Sequence, residues 1–273
     1  MSALDPELIR AAAGCASLGV ETVEETASTS QALMDASFGR SPGAPRLLAA
    51  VRQTAGRGRR GRAWLSPEGR SVAFSIALER RVLSDPPPTA VSVAVGAAAA
   101  SVLSRWAPDV RLKWPNDLQR DGRKLAGILV ESRRSAPAAG ARGGTIERIV
   151  VGIGVNLLAP PKSCAIGQPA CGLIDGEALP AQAGETVIGA LAGAVVPAID
   201  RFLAEGLGPF VEAWRRFDAL DGRPVVLVDG ERVLASGRAL GLDDSGGLRL
   251  QTADGMRVLH SGEVSLRLRG AAD

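Results

Sequence analysis

The chain has no tyrosine, one histidine, three cysteines and only three lysines in 273 residues. With His260 alone, a Ser-His or Cys-His nucleophile system has one place to form, and no nucleophile motif surrounds it. Cys15, Cys164 and Cys171 are few and odd in number, which suits a reducing, cytoplasmic setting. Cys164 and Cys171 are close enough to pair within one loop, but no His or second Cys pair makes them a zinc site, so no metal ligands are assigned. No Gly-Lys-Ser/Thr tripeptide occurs, which excludes a P-loop. No apolar run reaches the ~18 uninterrupted residues of a membrane span. The longest, Thr89 to Leu103, reads as a buried helix. The N-terminus lacks the basic region and apolar core of a signal peptide. A net charge of +3 is too weak to argue for nucleic acid as the main partner.

What is present is concentrated. Gly56 to Arg62 holds three glycines and four arginines. Glycines make this a loop, and each guanidinium offers a planar fork of donors suited to carboxylate or phosphate. One reading is a mobile loop that closes on a phosphate-bearing ligand; the other is a solvated basic turn. The spacing Gly56-x-Gly58-x-x-Gly61 also matches the dinucleotide fingerprint, which needs a strand before it and a helix opening inside it. Arg46 to Val51 supplies the strand. After Gly61, however, a turn at Ser66-Pro67-Glu68-Gly69 leads into Ser71 to Leu78, which alternates as a strand. Strand, loop, strand is the wrong context for a nicotinamide or flavin.

The basic residues are 29 arginines and three lysines, Lys113, Lys124 and Lys162. A lysine kept in so arginine-rich a chain suggests a position that needs a compact ammonium. Lys162, beside Pro160 and Pro161, reads as ordinary surface. Lys113 falls in Val110 to Asp117, where Pro115 ends a strand after Trp114 and leaves Asn116 and Asp117 at a strand end or turn. Asp121-Gly122 is a tight turn. The chain returns through Lys124 to Glu131, so that two antiparallel strands bring Lys113 and Lys124 to one region. Gly127, inside a strand, implies close approach by a ligand or another backbone.

Elsewhere the pattern predicts helices at Pro6–Gly14, Thr89–Trp106, Glu185–Ala204 and Pro209–Phe217. Ser28 or Thr29 caps a helix through Met34, and their hydroxyls either serve the cap alone or also meet a polar ligand. Ile146 to Leu157 is a strand with glycines at 152 and 154 and Asn156 at its end. After residue 221, five short alternating segments end at Val264 to Leu268 and read as a small β-barrel. The domains are therefore expected at 1–220 and 221–273.

Four stretches together resemble the biotin protein ligases: Gly56 to Arg62, Lys113-Trp114-Pro115-Asn116-Asp117, Lys124 to Glu131, and Gly152-Ile153-Gly154-Val155-Asn156. The resemblance covers about Glu21 to the C-terminal strands. It implies an α/β (α+β) fold: a mixed, largely antiparallel sheet with flanking helices, like class II aminoacyl-tRNA synthetases, and an SH3-like C-terminal barrel. It implies adenylation of biotin by ATP with Mg²⁺, then transfer to a lysine of a biotin carboxyl carrier domain by a monomer or weak homodimer. Carried onto this chain, Ser28, Thr29, Ser30 and Gln53 would bind the biotin ureido end, with Arg57, Gly58 and Gly127 around the biotin. Arg59 and Lys124 would be the catalytic cations, at the carboxylate and α-phosphate. Arg59, Arg60, Arg62, Trp64, Lys113, Asn116, Asp117 and Asn156 would serve the adenylate side. Ser30 departs from the Asn of many members. The twenty residues before Glu21 are too few for the winged helix-turn-helix that some members carry, so no DNA partner is expected. Lipoate or octanoate ligation, and a non-enzymatic biotin- or nucleotide-binding regulator, are the alternatives.

Overall fold

The computed structural model describes residues 3–39, 41–82, 90–135, 145–161, 168–229, 232–260 and 265–268. Lys162, Cys164, the helix start at Thr89 and Val264 lie outside the described residues. In chain order the larger sheet is built from β1 (Gly19–Thr26), β2 (Arg46–Gln53), β3 (Ser71–Val82), β4 (Arg111–Lys113), β5 (Asp117–Arg120), β6 (Arg123–Arg134) and β7 (Thr145–Asn156). Their spatial order is β1-β2-β3-β7-β6-β5-β4. Only β1 and β2 run parallel, joined through helix α2 (Thr29–Asp35), because a parallel pair needs a crossover. The remaining pairs are antiparallel. This is the mixed, largely antiparallel sheet expected.

The two faces of the sheet have different cover. Ile149, Val151, Ile153 and Val155 of β7 point into the main core with α1 (Pro6–Ala13), α3 (Val91–Leu103), α4 (Ala183–Glu205) and α5 (Gly208–Phe217). The alternate residues face the other way, where α2 rests on a small cluster of Leu33, Leu48, Ala77 and Val150. Beyond α2 no other α-helix among the described residues covers that face, and glycines 152 and 154 keep it low. The functional cavity forms there.

One expectation changes, and one helix adds to the sequence reading. The buried helix expected near Thr89 is α3, and α4, with 23 residues, is a longer one. Length and composition alone would let it cross a membrane, yet it packs on α1 and α3 as a core helix. The hairpin from Val110 to Glu131 is a three-stranded meander. Asp121-Gly122 does turn between β5 and β6, with φ of 48° and 73°. However, β5 lies between β4 and β6, so Lys113 and Lys124 sit two strands apart. Asp117–Arg120 is a four-residue strand, too short for alternation to reveal.

The C-terminal strands β8 (Pro224–Asp229), β9 (Arg232–Leu242), β10 (Leu248–Thr252), β11 (Gly255–Leu259) and β12 (Ser265–Leu268) pair antiparallel in the order β11-β10-β9-β8-β12. Val225, Leu227, Ala239, Leu248 and Leu250 are continuous with the main core. The buried indole of Trp114 donates from Nε1 to the Gly246 carbonyl at 3.0 Å, tying the second sheet to the start of the Pro115–Asp117 turn.

Candidate active site

A cavity of about 570 Å³ opens on the glycine-bearing face. Its innermost wall is neutral and polar. Ser28 caps α2, its Oγ accepting from Gln31 N at 3.4 Å. Parallel pairing of Thr26 with Gln53 sets Gln53 beside the same helix end. Gln53 Oε1 accepts from Thr29 N at 2.8 Å and Thr29 Oγ1 at 3.1 Å. Ser75 Oγ, on β3, lies 2.7 Å from Thr29 Oγ1 and 2.9 Å from Ser30 Oγ. Ser28, Thr29, Ser30 and Ser75 are each at most 5% exposed. Gly152 makes room for this cluster: a Cβ there would lie 2.4 Å from Ser30 Oγ.

The middle of the cavity is floored by Trp64. The glycine loop folds back on itself, with Gly58 N donating to Arg62 O at 2.7 Å and Trp64 N to Gly56 O at 2.8 Å. That return lays the indole across Gly154, whose Cβ would fall 2.2 Å from the ring, and beside Gly127. These glycines pair across β6 and β7. The close approach expected at Gly127 is thus made by the Trp64 ring and the Lys124 side chain. The buried Trp64 Nε1 has no hydrogen-bond partner among the described residues, and is a donor available to a ligand.

The outer end is charged. Lys124 Nζ lies 2.7 Å from Asp117 Oδ1 and 5.5 Å from the centre of the Trp64 ring. Arg59 Nη1 donates to Asn116 Oδ1 at 3.2 Å, while Asn116 Nδ2 donates to the Ile128 carbonyl at 2.7 Å. Burial lowers the Arg59 pKa, Asp117 opposes that, and Arg60 and Arg62 add to it. Asn156 Nδ2 donates to the Lys124 carbonyl at 3.3 Å. The 168–175 segment braces this end: Lys124 N donates to Pro169 O, and Cys171 N to Lys124 O, each at 2.9 Å. Arg120 clamps the segment through Gly172 O at 2.9 Å and Asp175 Oδ1 at 3.1 Å. The Asp175 carboxylate, and after it that of Asp109, raise the Arg120 pKa against the opposing effect of burial.

Ser28, Thr29, Ser30, Gln53, Arg57, Gly58, Arg59, Arg62, Trp64, Asn116, Asp117, Lys124, Gly127 and Asn156 all line the cavity. Arg60 and Lys113 do not. Arg60 is exposed in the left-handed region of a short 3₁₀ turn, and Lys113, on edge strand β4, pairs with Asp117 of β5. The sequence reading missed Ser75, Gln168 and Ala170. It also missed that Arg57 bonds Gln31 and Glu131, spanning from α2 to β6. Ser75 carried one usable signal, a hydroxyl inside the otherwise apolar run Val72 to Leu78 of β3. Cys171 is a free, buried thiol whose pKa burial raises. Among the described residues no three His, Cys, Asp or Glu side chains gather as a metal site.

Comparison with known proteins identifies the family. The biotin/lipoate A/B protein ligase family model matches residues 23–156, and the biotin protein ligase C terminal domain matches residues 222–267. The chain is 34% identical over 224 residues to the bifunctional ligase/repressor BirA of Escherichia coli, covering 79% of this chain and 64% of that protein. It therefore spans slightly less than two thirds of that relative. It is 34% identical over 224 residues to the biotin--[acetyl-CoA-carboxylase] ligase of Paracoccus denitrificans, covering 78% of this chain and 86% of that one. The solved biotin protein ligase of Aquifex aeolicus, in complex with biotin and ATP, matches with a TM-score of 0.70 at 25% identity, over 92% of this chain and 99% of that chain. By sequence and architecture, this chain belongs to the biotin protein ligase family.

Proposed function

We propose that this protein activates biotin with ATP and transfers the biotinyl group to a lysine of a biotin carboxyl carrier domain. One observation carries the reading. Gly152 and Gly154 lie on one face of β7, under the hydroxyl cluster and the Trp64 indole, and Lys124 Nζ stands against Gly127, the cross-strand partner of Gly154, and Asp117. The cavity thus runs from hydroxyls past an indole to an ammonium. It suits a slender ligand with a hydrogen-bonding head, an apolar body and a carboxylate tail.

In the first step a biotin carboxylate oxygen attacks the α-phosphorus of ATP, and pyrophosphate leaves. Two anions must meet, so Lys124 and Arg59 offset the repulsion and stabilise the charge that develops. Asp117 holds Lys124 in place, and Asn116 orients Arg59. The magnesium enters with the nucleotide as part of the substrate. In the second step the carrier lysine amine attacks the biotinyl carbonyl, AMP leaves, and the amine proton passes to solvent or AMP. Neither step needs a protein nucleophile, which agrees with a chain holding one histidine. Arg57, bonded to Gln31 and Glu131, would hold the glycine loop over the reactive anhydride and keep water away.

The reading includes a catalytic unit over 1–220 with a class II aminoacyl-tRNA synthetase-like sheet, and an SH3-like unit over 221–273. Lipoate fits less well. Its dithiolane ring offers no strong hydrogen bonds, and would leave the buried hydroxyls of Thr29, Ser30 and Ser75 facing an apolar group. The test is pyrophosphate release from ATP with biotin, lipoate or octanoate added. Release with biotin alone is expected. Release only with lipoate or octanoate would reassign the substrate, and none with any acid would make the protein a binding regulator.

A further inference from the structure

The face of β7 that carries Gly152, Gly154 and Asn156 continues inward through Val150 to Arg148. Arg148 is 2% exposed, rare for an arginine, and a buried guanidinium must be fully engaged to be tolerated. Nε and Nη2 donate to Glu79 Oε1 at 3.0 and 2.6 Å. Glu79 is the cross-strand partner of Arg148 on β3. The other donors go to the end of helix α2. Nη1 donates to the carbonyls of Leu33 at 3.1 Å and Ala36 at 2.5 Å, and Nη2 to that of Ser37 at 2.9 Å. The Phe38 ring packs 4.3 Å from the guanidinium carbon.

Leu33 O is one of the carbonyls a helix leaves without partners at its C-terminus, and Ala36 and Ser37 are the two residues that follow the helix. Helix α2 has no basic residue in its last turn, and Ala36 follows it in an extended conformation. Its cap is delivered from β7 instead, and the positive charge meets the negative end of the helix. The helix has seven residues, about 10 Å, and is too short to be stable alone. Whatever fixes one end therefore fixes the other. The other end carries Thr29 and Ser30.

We infer that Arg148 is a positioning residue for ligand recognition: it anchors the far end of α2 and so holds the hydroxyl cluster of Thr29, Ser30 and Ser75 in register. This rests on the reading of that cluster as the biotin end of the cavity. Arg148 touches none of the cavity itself.

The experiment compares Arg148→Lys with the parent chain. Lysine keeps a charge for Glu79 but cannot reach the spread of carbonyls that the fork spans. Three quantities are read: biotin affinity without nucleotide, KM for ATP with kcat at saturating biotin, and amide hydrogen exchange of residues 29–35 without ligand. The expected result is about tenfold weaker biotin binding. KM for ATP and kcat should stay within about twofold, with faster exchange along α2. Unchanged biotin affinity in a folded variant overturns the inference. So does an equal loss in all parameters, which a general structural role would give. If the parent binds no biotin, the proposed function fails, and the ligand-free exchange alone decides whether Arg148 holds the helix. Should Arg148→Lys not fold, Glu79→Gln is read the same way, with a smaller shift in biotin affinity expected and no shift overturning the inference.

Discussion

The two ends of the cavity solve the burial of polar groups in opposite ways. At the inner end Thr29, Ser30 and Ser75 are neutral and exchange hydrogen bonds among themselves and with Gln53. Neutral groups so satisfied are buried at little cost, and the end is built before any ligand arrives. At the outer end the groups are cations, which cannot be left unpaired away from water. There Lys124 is held by Asp117 and Arg59 by Asn116. Asp117 thus stands where an anionic ligand would compete. The inner end recognises by preformed shape, and the outer end by exchanging one counter-charge for another.

The comparison is broken most severely at Lys124. Its side chain is 18% exposed and lies inside the cavity, whereas the neighbouring Arg123 is 52% exposed and 3.6 Å from Asp121. The two point to opposite faces of β6, as alternation requires. Arginine at 124 would crowd the Trp64 ring and Gly127, each already in contact with the lysine. Lys124→Arg is expected to lower biotin-dependent pyrophosphate release about 10²–10³-fold, the scale of losing one transition-state donor. Arg123→Lys should leave the rate nearly unchanged. Equal rates for the two at saturating substrates would remove Lys124 from the chemistry.

A smaller effect, confined to the other end, is expected from Gly152→Ala. The new methyl would press within 2.4 Å of Ser30 Oγ, and Ser30 is itself fixed by Ser75. The hydroxyl must move, and such crowding costs about 1–3 kcal/mol. Titration calorimetry should show biotin binding weakened by one to two orders of magnitude, about what that cost implies. Adenylation at saturating biotin should be largely kept. A drop in kcat with unchanged biotin affinity would show that the two ends do not act separately.

How much of this was legible depends on how local each signal is. The Asp121-Gly122 turn, the Ser28 cap and the glycine loop are short-range patterns, and each stands where the sequence puts it. The reading of Lys113 failed because β5 is only four residues long and follows Pro115, which looked like the end of all pairing. Gly127 was singled out correctly, but its neighbour is Trp64, from a loop on the far side of the site, and no local pattern names such a partner. Ser75 is a polar residue in a strand that reads as alternating, and Arg148 one in a strand marked only by its glycines and Asn156. Only the placement of α2 turns their faces into buried ones. The four-motif resemblance recovered most of the cavity because it carries long-range proximity that periodicity lacks.

The smallest expected effect tests how the outer end is supported. Trp114 is 3% exposed, and its Nε1 donates to the carbonyl of Gly246 in the C-terminal sheet. Gly246 is itself tightly seated, since a Cβ there would lie 2.7 Å from that of Ala90. Through Pro115 this contact leads directly to Asn116 and Asp117, the partners of Arg59 and Lys124. Among the described residues nothing comparable links the C-terminal sheet to α2, whose anchors are Ser75, the Leu33 cluster and Arg148. Trp114→Phe keeps an aromatic ring in the core and removes the single donor, at a cost of about 1 kcal/mol. KM for ATP is therefore expected to rise about fivefold, while biotin affinity measured without nucleotide stays the same. A matching loss of biotin affinity would mean that the second sheet supports the whole cavity, and that the inner end does not stand on α2 and its anchors alone.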